Sequence, residues 1–380
     1  MNQTTIDHFF KSNHKRLPIL IVADLNINST SYELITKHPR FTCLETLIQK
    51  SLFYQTPLII ASHKGRPNGV DQSYSLKHLQ AIFGKHYQTS VTFDTTYHIE
   101  QRSINYSTPL TILENHRFYE TKLNQSQERV DYFKNTIHAI INESFPTSHR
   151  DSFFNTTLPK TVLNKCIGPI FETEISRVQQ FRTKNPSSFL IIGGNKLASK
   201  LPFIHQLPMT ISGIFFGGKI ALDIIKHQRC NHPNEPVSDL LEYTRSKNIN
   251  IHLPVDFVTN DTKNTSTNKV VNTNKINIDT EAYDIGPNTI ANFETIMRDA
   301  KGIILNGPMG KVEEERFQSG TSNLIHYLEL HHSTRTMIGG GETNILLRNS
   351  NTPFFHISTA GGAFLALLCD NKLPGYLSFT

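Results

Sequence analysis

The second half of this 380-residue sequence repeats one design: an apolar run, a glycine-rich turn, then a helix-forming segment. It occurs at residues 189–200 (FLIIGGNKLASK), 211–225 (ISGIFFGGKIALDII), 301–317 (KGIILNGPMGKVEEERF), 336–344 (TMIGGGETN) and 355–364 (FHISTAGGAF). A continuous apolar run is the mark of a strand buried on both faces, and strands that alternate with helices pair in parallel through crossover connections. No single glycine turn is specific. Their succession predicts a doubly wound parallel sheet whose strand ends form a phosphate-receptive edge.

Within residues 191–200 two glycines precede Lys196 and Lys200, four residues apart. A helix that begins just after Gly194 puts both lysines on one face, where their ammonium groups reach a phosphate at the positive helix N-terminus. Paired glycines also make ordinary strand-to-helix turns, and lysines at this spacing often form a solvated face, so the stretch alone leaves both readings open. Gly213, Gly218 and Lys219 imitate a P-loop, but Ile220 stands where that motif needs a Ser or Thr hydroxyl, so a glycine turn beside a nucleotide is the better reading.

The first half places polar groups after strands. LPILIVAD (17–24) delivers Asp24 and, just beyond, Asn26; TPLIIASHKGRP (56–67) delivers His63 and Arg66; LTILENHRF (110–118) ends near Arg117, and HAIINESFPTSHR (138–150) on His149 and Arg150. A helical segment is expected to run on from Arg40. Each of these groups singly is most simply surface charge or local structure. Together they put four arginines and two histidines at strand ends or helix starts, and guanidinium forks match carboxylate and phosphate oxygens. An acidic, phosphorylated metabolite is the ligand class they suit.

The length predicts two domains. No apolar run is long enough to cross a bilayer, and MNQTTIDHFFKSNHKR lacks the layout of a secretory signal, so a cytoplasmic protein is expected. Cys43, Cys166, Cys230 and Cys369 are isolated, which argues against disulfides and a cysteine metal site. The net charge of +6 favours an anionic partner. It is spread without a basic block, which points to small anions and away from nucleic acid. Residues 260–279, rich in Asn, Thr and Lys, read as a surface excursion.

The order of these pieces resembles the phosphoglycerate kinase family over essentially the whole chain. The resemblance is carried by VADLN, ITKHPRF, SHKGRP followed by YSL, LENHRF, NESFPTSHR, GGNKLASK, LPVDFV, DIGPNTI, NGPMGKVE, GGGET and HISTAGGA followed by LPG. It implies two doubly wound α/β domains facing a cleft: an N-terminal 3-phosphoglycerate domain over 1–167, an interdomain hinge helix over 168–185, a nucleotide domain over 186–362, and a segment over 363–380 that packs back near the hinge and the first domain. By motif, the acid site is Asp24, Asn26, Arg40, His63, Arg66, Arg117 and Arg150. Arg40, Lys196 and Lys200 are the catalytic cations. Gly193, Gly194, Lys196, Lys200, Gly218, Asn306, Gly310, Glu313, Gly341 and Thr343 take the nucleotide, Gly361 and Gly362 cradle the transferred phosphate, and Glu342 approaches Mg²⁺.

The resemblance implies reversible phosphoryl transfer from 1,3-bisphosphoglycerate to ADP, giving 3-phosphoglycerate and ATP, by a hinge-bending monomer that uses Mg²⁺ with ATP or ADP. Departures gather in the second half. Asn195 replaces an Ala, Lys219 the third of three glycines, Ala282-Tyr283 a Gly-Leu pair, Lys311-Val312 an apolar pair and Glu342 an Asp, while AGGAF stands for GGGAS. Ala360 would be strained by about 1 kcal/mol if its φ were positive, and Phe364 removes a hydroxyl. The other reading is a binding or regulatory protein of the same fold, with an intact acid site and an altered nucleotide site.

Overall fold

The computed structural model describes residues 2–101, 106, 108–260, 268–341, 343–347, 353–358, 360–369 and 372–380. The chain divides into two compact units, residues 1–175 with 372–380, and residues 176–371.

The first unit is built on six parallel strands, β1 (Ile19–Val22), β2 (Leu58–Ala61), β3 (Val91–Asp94), β4 (Leu110–Leu113), β5 (Ala139–Asn142) and β6 (Lys165–Ile167), in the order β3-β4-β2-β1-β5-β6. β1, β2, β4 and β5 are buried along their whole length, as their apolar sequences require. Helices cover them through side chains such as Phe41, fully buried, whose ring meets that of Phe83 edge-on at 4.7 Å. The segment expected to run as one helix from Arg40 is broken into Pro39–Thr42 and Glu45–Tyr54. Pro39 sits in the first turn and the His38 side chain accepts the Arg40 N–H at 3.1 Å, which fixes where the first piece starts.

The second unit has its own parallel sheet, β7 (Ser187–Ile192), β8 (Thr210–Phe216) and β9 (Ile251–His252), joined after an intervening hairpin by β13 (Gly302–Asn306), β14 (Thr336–Gly339) and β15 (His356–Ile357). Its order is β15-β14-β13-β7-β8-β9. The intervening strands, β10 (Asp256–Asn260), β11 (Asn268–Asn272) and β12 (Asp284–Ile285), form an antiparallel sheet. Part of the polar tract read as a surface excursion is thus strand β11, largely exposed, while residues 261–267 lie outside the described residues. Helix Gly218–Cys230 buries Ile220, Ala221, Ile224 and Ile225 at helical spacing and ends at Asn231 with φ 49°.

Helix Pro169–Lys184 contains the division between the units, and helix Gly362–Leu368 belongs to the second. Residues 372–380 return to the first unit, where the Gly375 N–H donates to the Ser148 carbonyl at 2.8 Å and Asn142 Nδ2 donates to the Gly375 carbonyl at 3.1 Å.

In each sheet the strand order reverses at a central strand, β1 in one and β7 in the other. The ends of those strands are where an open α/β sheet places a ligand.

Candidate functional site

In the first unit, Asp24 follows β1 and is buried. Its Oδ1 accepts the Asn26 N–H at 3.1 Å and lies 3.8 Å from His63 Nε2, and its Oδ2 is 3.4 Å from Arg40 Nε. Asn26 Oδ1 accepts the Gly65 N–H at 2.8 Å, and its carbonyl accepts from Arg40 Nη1. Ser62 Oγ accepts the Leu25 N–H at 2.8 Å and donates to the Ala23 carbonyl at 2.9 Å, so the loops after β1 and β2 are stitched together.

Arg117 and Arg150 sit beyond their strand ends, one on and the other just after a 3₁₀ turn. Asn115 Oδ1 accepts the Arg117 N–H at 3.2 Å, and Arg117 Nη1 donates to the Gly65 carbonyl. Arg150 Nε donates to His149 Nε2 at 3.1 Å. The loops after β1, β2, β4 and β5 therefore hold their cations at one sheet edge.

Burial and the neighbouring Arg150 push the Arg117 guanidinium down, and burial with Arg66 does the same to Arg150. His63 is held well below the ordinary histidine range by burial, then by Arg117, His116, Arg40 and Arg150, so it is neutral at pH 7. His63 Nδ1 is buried and has no hydrogen-bond partner among the described residues. A cluster of cations that raise one another's energy around one buried carboxylate is a site for an anion.

In the second unit four loops meet. The Gly193 N–H donates to the Asn306 carbonyl at 3.0 Å, the Gly194 N–H to the Pro308 carbonyl at 2.9 Å, and the Gly218 N–H to the Met309 carbonyl at 2.9 Å. A side chain at Gly193 would collide with the Pro308 carbonyl, which explains that glycine. Gly218 has φ +61° and meets the backbone of Gly194, so two conditions exclude a side chain there. Lys200 Nζ donates to Asn306 Oδ1, and Asn306 Nδ2 donates to the Gly339 carbonyl at 3.2 Å. The Gly340 N–H donates to the Ala360 carbonyl at 3.0 Å, which brings in the loop of Gly361 and Gly362. Thr343 Oγ1 is buried beside Gly340 without a partner among the described residues, an orphan hydroxyl that a phosphate oxygen would satisfy.

Several expectations change. No helix starts after Gly194: Leu197–Ser199 is a 3₁₀ turn, the helix is Leu201–Gln206, and Lys196 and Lys200 are the residues that precede each. Pro202 belongs to the first turn of a helix and sets the late start. Ala360 is not among the positive-φ residues, so it carries no such strain. Phe364 is fully buried under β14, its ring filling the place where a side chain on Gly339 would lie, so it is a core residue.

Lys196, Glu313 and Gly341 are exposed, as is Lys219, whose Nζ pairs with Asp223 at 2.6 Å. Gly310 lies at the end of the Asn306 loop and is partly exposed. Glu342 lies outside the described residues; among those described, no group of three or more His, Cys, Asp or Glu is placed to hold a metal ion. Ser62 and Asn115 were missed at the sequence level. An Asn two residues before Arg117 is a local capping signal that could have been read.

Comparison with known proteins places this geometry. The phosphoglycerate kinase family profile matches residues 10–371. A phosphoglycerate kinase of Helicobacter hepaticus is 30% identical over 338 residues, 84% of this chain and 83% of that protein. One of Geotalea uraniireducens is 29% identical over 94% of both. The structure of phosphoglycerate kinase from Coxiella burnetii superposes with a TM-score of 0.73 at 25% identity, covering 97% of each chain. That from Pyrococcus horikoshii, at 19% identity and a TM-score of 0.74 over 96% of each chain, speaks to the fold alone. With a profile match over nearly its whole length and two parallel-sheet α/β units, the chain belongs to the phosphoglycerate kinase family.

Proposed function

We propose that the protein is an active phosphoglycerate kinase, transferring a phosphoryl group reversibly from 1,3-bisphosphoglycerate to ADP. The observation that carries this is the anion-demanding cluster of Arg40, His63, Arg66, Arg117 and Arg150 around Asp24 in one unit of a family member. In the direction of acyl phosphate synthesis, a 3-phosphoglycerate carboxylate oxygen attacks the γ-phosphorus of ATP. The bond from that phosphorus to the β,γ-bridging oxygen breaks, and ADP leaves with the electron pair.

Little covalent chemistry falls to the protein. The charge spread over the equatorial oxygens must be met by fixed cations, and water must be kept out. Arg40, Lys196 and Lys200 have that role. Asn306 Oδ1 takes one N–H of Lys200 and steers the ammonium. Arg66, Arg117 and Arg150 hold the acid's phosphate and carboxylate. The glycine loops and the Thr343 hydroxyl hold the nucleotide phosphates, with Glu313 toward the ribose. Mg²⁺ would come with the nucleotide and offset its phosphate charge, and Glu342 is the carboxylate that would approach it. The same reading makes residues 1–167 the acid domain and 186–362 the nucleotide domain, with 168–185 as hinge, in a cytoplasmic monomer.

A coupled assay with purified protein, Mg²⁺, ATP and 3-phosphoglycerate tests it, with GTP as an alternative donor because Lys219, Ala282 and Tyr283 depart from the family. Turnover that needs all three components is expected. No turnover alongside calorimetric binding of 3-phosphoglycerate would leave a binding protein on this fold.

A further inference from the structure

Asp284 opens β12 and is buried, 2% exposed. Its Oδ2 accepts the Gly320 N–H at 2.7 Å, in the first turn of helix Ser319–His331, and its Oδ1 accepts the Ile285 N–H at 2.9 Å. A side chain on either Gly310 or Gly320 would collide with Oδ1, so the carboxylate is wedged between the end of the Asn306 loop and the start of that helix. Two more bonds hold the loop nearby. The Lys311 N–H donates to the Tyr283 carbonyl at 2.7 Å, and the Met309 N–H to Thr321 Oγ1 at 2.9 Å. Met309 is the residue whose carbonyl holds Gly218, so the wedge stands directly behind the glycine junction.

We propose that Asp284 is a positioning residue for the nucleotide: its ionised carboxylate locks residues 306–310 against helix Ser319–His331, and its protonation frees the loop and weakens nucleotide binding. The proposal rests on reading the second unit as the nucleotide-binding half.

An ionised carboxylate only accepts hydrogen bonds, whereas a protonated one must turn one oxygen into a donor. Here both oxygens already face N–H donors, so the added proton competes with the bonds that fix the carboxylate to the helix start and to its own strand, and with them the surface against which Gly310 packs. Burial pushes the carboxyl up to about 7, against the pull of the Gly320 and Ile285 N–H groups. The charged and titratable groups on the surrounding elements are Tyr283 beside it, Lys311, Glu313, Glu314, Glu315 and Arg316 after the loop, Asp256 on β10, and His326, Tyr327, Glu329 and His331 farther along helix Ser319–His331. Of these, Lys311 and Arg316 pair with Glu314, and Asp256 accepts from the Thr289 N–H at 2.8 Å. If the nucleotide needs the ionised form, affinity scales with the ionised fraction, and binding at pH 6 should be about tenfold weaker than at pH 8.

The test is calorimetric ADP binding to the full chain from pH 6 to 8.5, for the parent, D284N and T321V, with 3-phosphoglycerate binding measured alongside. The parent should lose about tenfold more affinity between pH 8 and pH 6 than D284N, the titration of ADP itself being common to both. D284N should bind ADP more than about tenfold more weakly at pH 8. T321V, which cuts the other tether, should weaken binding throughout yet keep the parent's pH dependence. Affinity for 3-phosphoglycerate should not change. Amide exchange of residues 306–311 in the parent needs no variant: its protection, corrected for intrinsic rates, should fall between pH 8 and pH 6. Parallel pH profiles for parent and D284N, or unchanged protection of the loop, overturn the proposal. Failure of the parent to bind ADP at any pH would instead overturn the nucleotide reading on which it rests.

Discussion

Replacing Gly218 by alanine tests the junction of the glycine loops in the second unit. The residue has φ +61°, a conformation that costs an L-residue with a Cβ about 1–2 kcal/mol. The new Cβ would stand 2.9 Å from both the N and O of Gly194 and 3.2 Å from the Pro308 carbonyl oxygen. All three are backbone atoms, so no side chain can rotate away and the loops must part. Parting them weakens the bond from the Gly218 N–H to the Met309 carbonyl, 2.9 Å, and that from the Ile220 N–H to the Gly194 carbonyl, 3.2 Å. At about 1 kcal/mol for each hydrogen bond, strain and lost bonds come to about 3–4 kcal/mol. Urea unfolding should register that loss in the second unit, and calorimetry should show nucleotide affinity down at least about tenfold, which corresponds to about 1.4 kcal/mol. Affinity for 3-phosphoglycerate should be unchanged. G341A is the stability control: a Cβ there meets nothing within 4 Å, so its unfolding should stay within about 0.5 kcal/mol of the parent. A G218A protein as stable as the parent, or a G341A protein equally damaged, would refute the reasoning.

Glu143 accepts the Ile170 and Phe171 N–H groups at 3.1 and 3.3 Å, and burial raises its carboxyl from 4.5 to about 8. Between those values the folded state binds more protons than the unfolded one, so its contribution, full below about pH 4.5, fades as pH rises through about 8. Urea titrations of the parent should therefore show stability falling toward pH 8 by up to about 1.4 kcal/mol per unit from this group, and E143Q should lack that component; equal slopes would sink the assignment. Phe364→Ser should destabilise by about 3–5 kcal/mol, read by thermal unfolding, because it empties the space beneath Gly339, and an unchanged midpoint would contradict the packing. Ala360→Gly should bring no gain in stability, since there is no positive φ to relieve. Lys200→Ala should lower turnover by orders of magnitude while leaving 3-phosphoglycerate affinity near its original value; near-normal turnover would remove Lys200 from the chemistry.

The parallel sheets were legible because buried strands are apolar end to end, as in β1, β2 and β13, and because each is followed by a turn and a helix. The positions of Asp24, His63 and Arg117 were legible for the same reason: each comes within a few residues of a strand's end, and parallel strands bring those ends to one edge. What could not be read depends on partners remote in sequence. Nothing near Phe364 says that its ring fills the space beside Gly339, 25 residues earlier, and nothing near Asp284 says that Gly310 and Gly320 close around it. The late helix start at Leu201 is a different kind of miss, since Pro202 was there to be weighed against the lysine spacing.

The return of residues 372–380 to the first unit bears on how the molecule is made. Synthesis runs from the N-terminus, and domains generally fold as units as they emerge. The first unit cannot do so completely: Asn142, at the end of β5, and Ser148, two residues before Arg150, await Gly375. That partner is joined to the growing chain only after all of residues 176–371. The strand-end edge that carries Arg150 is thus completed only after residues 176–371 have been added, although nearly all of it is translated before them.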